Sequence, residues 1–350
     1  MTRRSSFKVE RWTPASMTAM SLAVILGLVL AIGPLIFDAN TVDRLTALFI
    51  YVILASMWNA LAGYGGLVSV GQQAFFGLGA YAAVRLASFG VDPFVSLFVA
   101  ALLVGLVSVP ISSVMLRLKG GEFAIGMWVV AELAHLLVNL DGLINGETGT
   151  SLIELDRYAA PLRHALTYWS ALAAMVVLLG ALFMLLRSRT GTAIQAIRDN
   201  EDAAESVGVK VFTTKRIVFV LAAIGAGMAG ALWLATAITF QPQSYFSVQW
   251  TAYMIFMVLV GGIGSFEGAI LGAVLFFLIE TWLSAAGVWY LIGLGATALV
   301  FSLFLPRGIW GVLQDRFGVQ LLPVGYRLKI IGAKTEAEEN ALVACSGRRS

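Results

Sequence analysis

RSRTGTAIQAIRDNEDAAESVGVKVFTTKR, residues 187–216, is a long polar stretch set between two apolar segments in the middle of the chain. Almost everything on either side of it is apolar. Of the 350 residues, 59% are hydrophobic and only 12% are charged, with a mean hydropathy of +0.87. A soluble domain of this length needs charge over its surface, so this chain uses lipid as its solvent. The polar stretch is then a loop between membrane spans. Spans without a barrel pattern are α-helical, because each segment must satisfy its own backbone groups.

Working outward from that loop, apolar runs bounded by turn and charge signals fall at 17–37, 44–63, 67–88, 94–116, 122–140, 167–187, 215–239, 250–264, 268–285 and 289–305. Each is about long enough for a ~30 Å hydrocarbon layer. The Gly-rich 67–88 and the short 250–264 are the two that could be re-entrant or broken. Ten crossings put nineteen Lys and Arg residues on the side of the termini and the 187–216 loop, and leave Arg44, Arg85, Arg157 and Arg163 on the other. By the positive-inside rule the first side is cytoplasmic. The expected organisation is a cytoplasmic N-terminus over 1–16 and a transmembrane domain over 17–311. A cytoplasmic tail over 312–350 follows, disordered from about Ala333. The run 17–37 is read as an uncleaved first span, being longer than a signal-peptide core. The fold class is an all-α polytopic membrane protein with about ten transmembrane or re-entrant helices.

Within the loop, 192–207 reads as one short helix. Ala193, Ile194, Ala196 and Ile197 give it an apolar patch, and Ala203 and Ala204 a small, strongly helix-forming surface. Gly208 stands where a left-handed residue would stop it. The spacing Asp202-Ala203-Ala204-x-x-x-Gly208 resembles the "EAA" loop of ABC-importer permeases, with Asp in place of Glu.

Other stretches extend that resemblance. They are Leu61-Ala62-Gly63-Tyr64-Gly65-Gly66-Leu67-Val68-Ser69-Val70-Gly71-Gln72-Gln73-Ala74-Phe75-Phe76-Gly77, Leu116-Arg117-Leu118-Lys119-Gly120, Val260-Gly261-Gly262-Ile263-Gly264-Ser265 and Phe304-Leu305-Pro306-Arg307-Gly308. Together they are similar to the LivM-type permeases of the branched-chain amino-acid importers, over roughly residues 45 to 311. Members of that family often have His where this chain has Gln72. The resemblance implies the ABC-importer permease fold in a bacterial inner (plasma) membrane, with both termini cytoplasmic. It also implies a homologous second permease, two cytoplasmic ATPases that bind the ATP, and an extracytoplasmic substrate-binding protein. Asp202, Ala203, Ala204 and Gly208 would form the ATPase-coupling element. The cargo it implies is branched-chain amino acids; urea, short amides or other amino acids are the alternative.

The residues themselves limit the chemistry. There is no G-x-x-x-x-G-K-[ST] phosphate loop, so the motor is elsewhere, and no nucleophile–base constellation, so an enzyme is not expected. No cofactor of the chain's own and no nucleic-acid partner is expected. Two histidines and the single Cys345 do not make a metal site or a disulfide framework. Glu132, His135 and Asn139 share one helical face, with Glu132 ~15 Å into its span. Such an acid belongs to the pathway, to a subunit contact or to a neutral packing bond with His135. Glu280 poses the same question. Asn59, Gln72 and Gln73 sit near Gly-rich breaks, where polar side chains can replace lost backbone bonds. An ion-coupled secondary transporter using Glu132, His135 and Glu280 is the distant alternative. Phe240, Tyr245, Phe246 and Trp250 are expected in an outer aromatic belt.

Overall fold

The computed structural model describes residues 6–10, 14–305, 307–317 and 327–331. The expected tail disorder from Ala333 onward lies outside them. In chain order the elements are β1 (Ser6–Glu10), α1 (Pro14–Ala31), α2 (Gly33–Ile36), α3 (Ala39–Asn59, continued by a π-helical turn Ala60–Tyr64), α4 (Gln73–Ser88), α5 (Pro93–Met115) and α6 (Gly121–Asn139). Then follow β2 (Thr150–Ser151), α7 (Ala160–Arg187), α8 (Arg189–Asp199), α9 (Glu201–Ser206), α10 (Val211–Ala237), β3 (Thr239–Phe240) and α11 (Pro242–Tyr245). The last are α12 (Val248–Gly261), α13 (Phe266–Leu283), α14 (Val288–Phe304), α15 (Gly308–Phe317) and β4 (Arg327–Ile331).

The protein is an all-α polytopic membrane protein. Among the described residues, eight helices are long and apolar enough to cross a membrane. The other two expected segments are shorter. The run at 17–37 is broken at Ile32, before Gly33-Pro34, because proline cannot continue the backbone ladder of α1. The run at 67–88 becomes helical only at Gln73, and 16 residues span about 24 Å. The run at 250–264 is lengthened backwards by α11 into a 20-residue apolar stretch, Pro242–Gly261.

The core is made by α3, α4, α10 and α12. Phe49, Tyr51, Phe75, Phe76, Phe219 and Met257 are buried on them. Lipid gives helices no hydrophobic reason to associate, so close backbone packing must hold this centre. Glycines supply it. A Cβ on Gly79 would lie 2.0 Å from the Gly227 carbonyl oxygen, and one on Gly230 only 1.8 Å from that of Phe76, so α4 and α10 touch backbone to backbone. The pair Gly268 and Gly272 does the same for α13 against α12. Cβ atoms there would meet the carbonyl oxygens of Gly262 and Met257.

Loops expected on one side gather together. Asp43 bonds His164 at 2.7 Å, Tyr81 bonds Asp141 at 2.7 Å, and β2 pairs with β3. Glu147 accepts from the Gln243 N–H at 3.0 Å. At the opposite ends of these helices, the turns near Gly63, Arg198, Gly264 and Gly308 cluster. Two short strands far apart in sequence also meet, β1 running antiparallel to β4 with Lys8 opposite Lys329. No strand was expected at either place.

The aromatic belt needs correction. Phe240, Tyr245, Phe246 and Trp250 are all buried. They form an internal cluster, with the Trp250 ring centroid 4.1 Å from that of Phe76 and the Tyr245 ring stacked at 5.7 Å. The turn through α11 folds them back onto α4 instead of into lipid. Trp282 and Trp289, flanking the α13–α14 turn, are the strongly exposed indoles.

Because Gly230 has no room for a side chain, Gly230→Val is expected to destabilise the bundle by about 1–3 kcal/mol or more through overpacking. Gly180→Val on α7, where a Cβ meets nothing within 4 Å, should be close to neutral. Thermal unfolding in detergent, followed by fluorescence-detected size exclusion, compares the two.

Candidate functional site

The polar stretch folds as two helices, α8 and α9, and not as the single helix expected over 192–207. The reason is Asn200. Its backbone is extended (φ −160°, ψ 109°), and its side-chain oxygen accepts from the Ala203 N–H at 2.9 Å, capping a new helix. Ile194 and Ile197 bury the apolar face of α8. Gly208 ends α9 as expected, with φ +89° and its N–H donating to the Glu205 carbonyl at 2.9 Å.

The four residues expected to form a coupling element do not all face outward. Asp202, Ala203 and Gly208 are exposed, but Ala204 is only 3% exposed and turns into the protein. A residue missed at first, Val207, is 79% exposed beside them. An isolated exposed valine among acids, next to a helix stop, is the signal that could have found it. The element is anchored from below. Lys215 on α10 is buried and donates to Glu201 at 2.8 Å, tying the start of α9 to the base of a membrane helix. Such a pair holds position, since removing either partner leaves a charge poorly solvated.

The polar residues at depth fall into separate groups. Asn59 uses both ends of its amide. Its oxygen accepts from the Gly264 N–H at 2.8 Å, and its nitrogen donates to the Ser265 carbonyl at 2.9 Å. It is a staple between α3 and the turn after α12. Gln73 accepts from the Thr251 hydroxyl. Gln72 differs: it is fully enclosed, and neither amide atom has a hydrogen-bond partner among the described residues. Glu280 accepts from the Tyr51 hydroxyl at 2.8 Å, between α13 and α3.

The stripe on α6 runs toward the loop that follows it. His135 lies 3.4 Å from Glu132 and 2.9 Å from Glu147, and Asn139 donates to Glu147. Glu132 itself sits roughly 16 Å along α6 from Gly121. Its side chain is 61% exposed on the lateral surface of the bundle. Around it Trp128, Val129, Leu133 and Leu136 are also exposed. Among the described residues, no other charged group at such depth opens sideways in this way. A carboxylate facing lipid there costs about 3 kcal/mol, so this face needs a polar or protein neighbour. Glu280 shares no hydrogen bond or ion pair with this stripe, and the structure does not gather the three groups into one ion site.

Residues 40–306 match the family described as the permease component of the branched-chain amino acid transport system. The high-affinity branched-chain amino acid transport system permease protein LivM of Escherichia coli (strain K12) is 28% identical over 310 residues, covering 81% of this chain and 73% of that protein. LivM of Salmonella typhimurium is 27% identical over the same length and coverage. A solved structure, PsaBC from Streptococcus pneumoniae in complex with Fab, is 14% identical. It covers 74% of this chain and 99% of that one, with a TM-score of 0.37, too low to bear on the fold.

At the end of the bundle that carries the 141–166 loop, Asp92 caps α5 and accepts from Tyr158, chiefly the bond that holds its carboxyl below the usual range. Asp141 is lowered likewise by Tyr81 and by the Leu143 N–H. A depressed folded value stabilises above the ordinary carboxylate pKa and is lost as pH falls through the folded one. Cleavage of the 141–166 loop by pepsin should therefore rise as pH drops below about 4. In Tyr158→Phe the onset should move to higher pH; an unchanged onset would refute the role of that bond.

Proposed function

The chain belongs to the permease family of the branched-chain amino acid transport systems, and on that premise we propose that it carries aliphatic branched-chain amino acids across a bacterial inner membrane, driven by separate ATPases. It is a transport permease, not an enzyme. The observation that carries the coupling part of this reading is α9. A rigid, capped helix end presents Asp202, Ala203, Val207 and Gly208 outward while Ala204 and the Glu201–Lys215 pair seat it on α10. Small outward side chains let a helix press into a groove on a soluble partner, and the flanking acids orient it. Closure of two cytoplasmic ATPases on ATP would push α9 and α8, and through them the helices on either side. Both termini of the chain are cytoplasmic in this reading.

The lateral face of α6 supports a second, homologous permease as neighbour. Protein there would cover Glu132, and amino acid delivered by an extracytoplasmic binding protein would pass between the two permeases. The outer loop is suited to receive that protein. Leu152 and Leu155 anchor it inside, and Asp156 and Arg157 stay exposed. An aliphatic zwitterion needs few polar contacts on the way. Opening of the core beside the start of α4 would bring the enclosed, unpartnered amide of Gln72 into reach, offering both a donor and an acceptor.

Purification in mild detergent with identification of copurifying proteins tests this. The unaltered chain should bring down ATPases, a second permease and, with leucine added, a binding protein. Ala203→Glu and Val207→Glu should lose the ATPases by more than tenfold while the permease stays monodisperse. Ala204→Glu, whose side chain would have to enter the protein, should instead lower the yield of folded permease. Recovery of the permease alone, with ion-driven uptake in ATP-free vesicles, would overturn the proposal.

A further inference from the structure

We infer that Arg198 is a positioning residue that links the ATPase-contacting helices to the two glycine-rich breaks of the membrane core, an inference that rests on the ATPase-driven reading above. Arg198 stands at the last turn of α8. Its Nη1 donates to the carbonyl oxygen of Gly63 at 2.9 Å, across 135 residues of sequence. Gly63 lies in the π-helical turn that ends α3, an irregularity common at functional sites. The remaining guanidinium donors, Nε and Nη2, both hold Asp199 Oδ1, at 3.1 and 3.0 Å, which fixes the plane of the fork.

Three glycines make the slot that the side chain occupies. At Gly66 (φ +67°) a Cβ would stand 3.2 Å from Arg198 Cγ, and at Gly264 (φ +74°) 3.3 Å from Arg198 Nη1. A Cβ on Gly63 would collide with Asn59 Oδ1 at 2.1 Å and with the Gly264 nitrogen at 2.5 Å. The arginine therefore sits where two turns touch, and Asn59 bonds those turns to each other. Displacement of α8 has a short bonded route: Arg198 to Gly63, then Asn59 to Gly264 and Ser265, and so to the start of α13. A route through α7 or α10 alone would move whole helices. This one moves the ends of α3 and α12 that are already broken.

Maleimide labelling of Ile263→Cys in a Cys345→Ser background, on the complex copurified with its ATPases, reads the movement directly. Ile263 is partly exposed between Gly262 and Gly264. With Arg198 present, the labelling rate should change at least threefold between nucleotide-free and ATP–vanadate conditions. Arg198→Ala should abolish that difference while ATPases still copurify, and Arg198→Lys, which can still donate to the Gly63 carbonyl, should restore part of it. An undiminished difference in Arg198→Ala, or none with Arg198 intact, would overturn the inference. So would loss of the ATPases from Arg198→Ala, which would make the residue part of the docking surface. Failure to recover ATPases with Arg198 intact would instead overturn the ATPase-driven reading itself.

Discussion

Irregular backbone at membrane depth survives only where protein supplies the hydrogen bonds that water would give outside. This chain interrupts its central helices in three places: the π turn at the end of α3, the coil before α4, and the turn between α12 and α13. Each interruption is closed by a particular side chain. Trp58 Nε1 holds the Ser69 carbonyl at 2.9 Å, the Asn59 amide closes on Gly264 and Ser265, and Arg198 takes the Gly63 carbonyl. The remaining architecture follows from this arrangement. Glycines must lie where backbones meet, and long polar side chains must reach in from the loop.

The run of apolar helices was legible because hydropathy is a local property; the count was less so, because Gly33-Pro34 and the late helix start at Gln73 shorten two of the ten expected spans. The bend at Asn200 was less legible. Ala193 and Ala196 before it and Glu201, Ala203 and Ala204 after it favour continuous helix, and one capping side chain overrode them. The inward turn of Ala204 was invisible to a motif reading, which treats adjacent alanines as equivalent although a 100° step separates their faces. Aromatic residues near an expected interface misled for a related reason. Their amphipathic rings suit a lipid boundary and a buried cluster alike, and only the back-turn through α11 decides between them. Polar residues at depth stood out in the sequence, but sequence could not sort them. Asn59 and Gln72 look alike as amides beside glycines, yet one has both ends bonded and the other neither.

The polar groups divide the molecule by task. Toward one end, charged residues hold the loop helices and grip the broken ends of α3 and α12. Toward the other, His135, Glu147 and Asn139 tie α6 to an ordered loop, leaving Glu132 facing sideways. Between them the core is aromatic and aliphatic. A permease that admits an aliphatic zwitterion has little need of charge in its middle, and a bonded acid such as Glu280 serves packing between α13 and α3.

The ribbon formed by β1 and β4 has a consequence for biosynthesis. Its first strand is synthesised before helices α1–α15, and its second more than 300 residues later. Hydrogen bonds between them cannot form until every intervening helix has been synthesised. Closing so long a loop is slow and entropically unfavourable. The ribbon is thus a seal set last, and a probe placed on it would time the completion of the molecule.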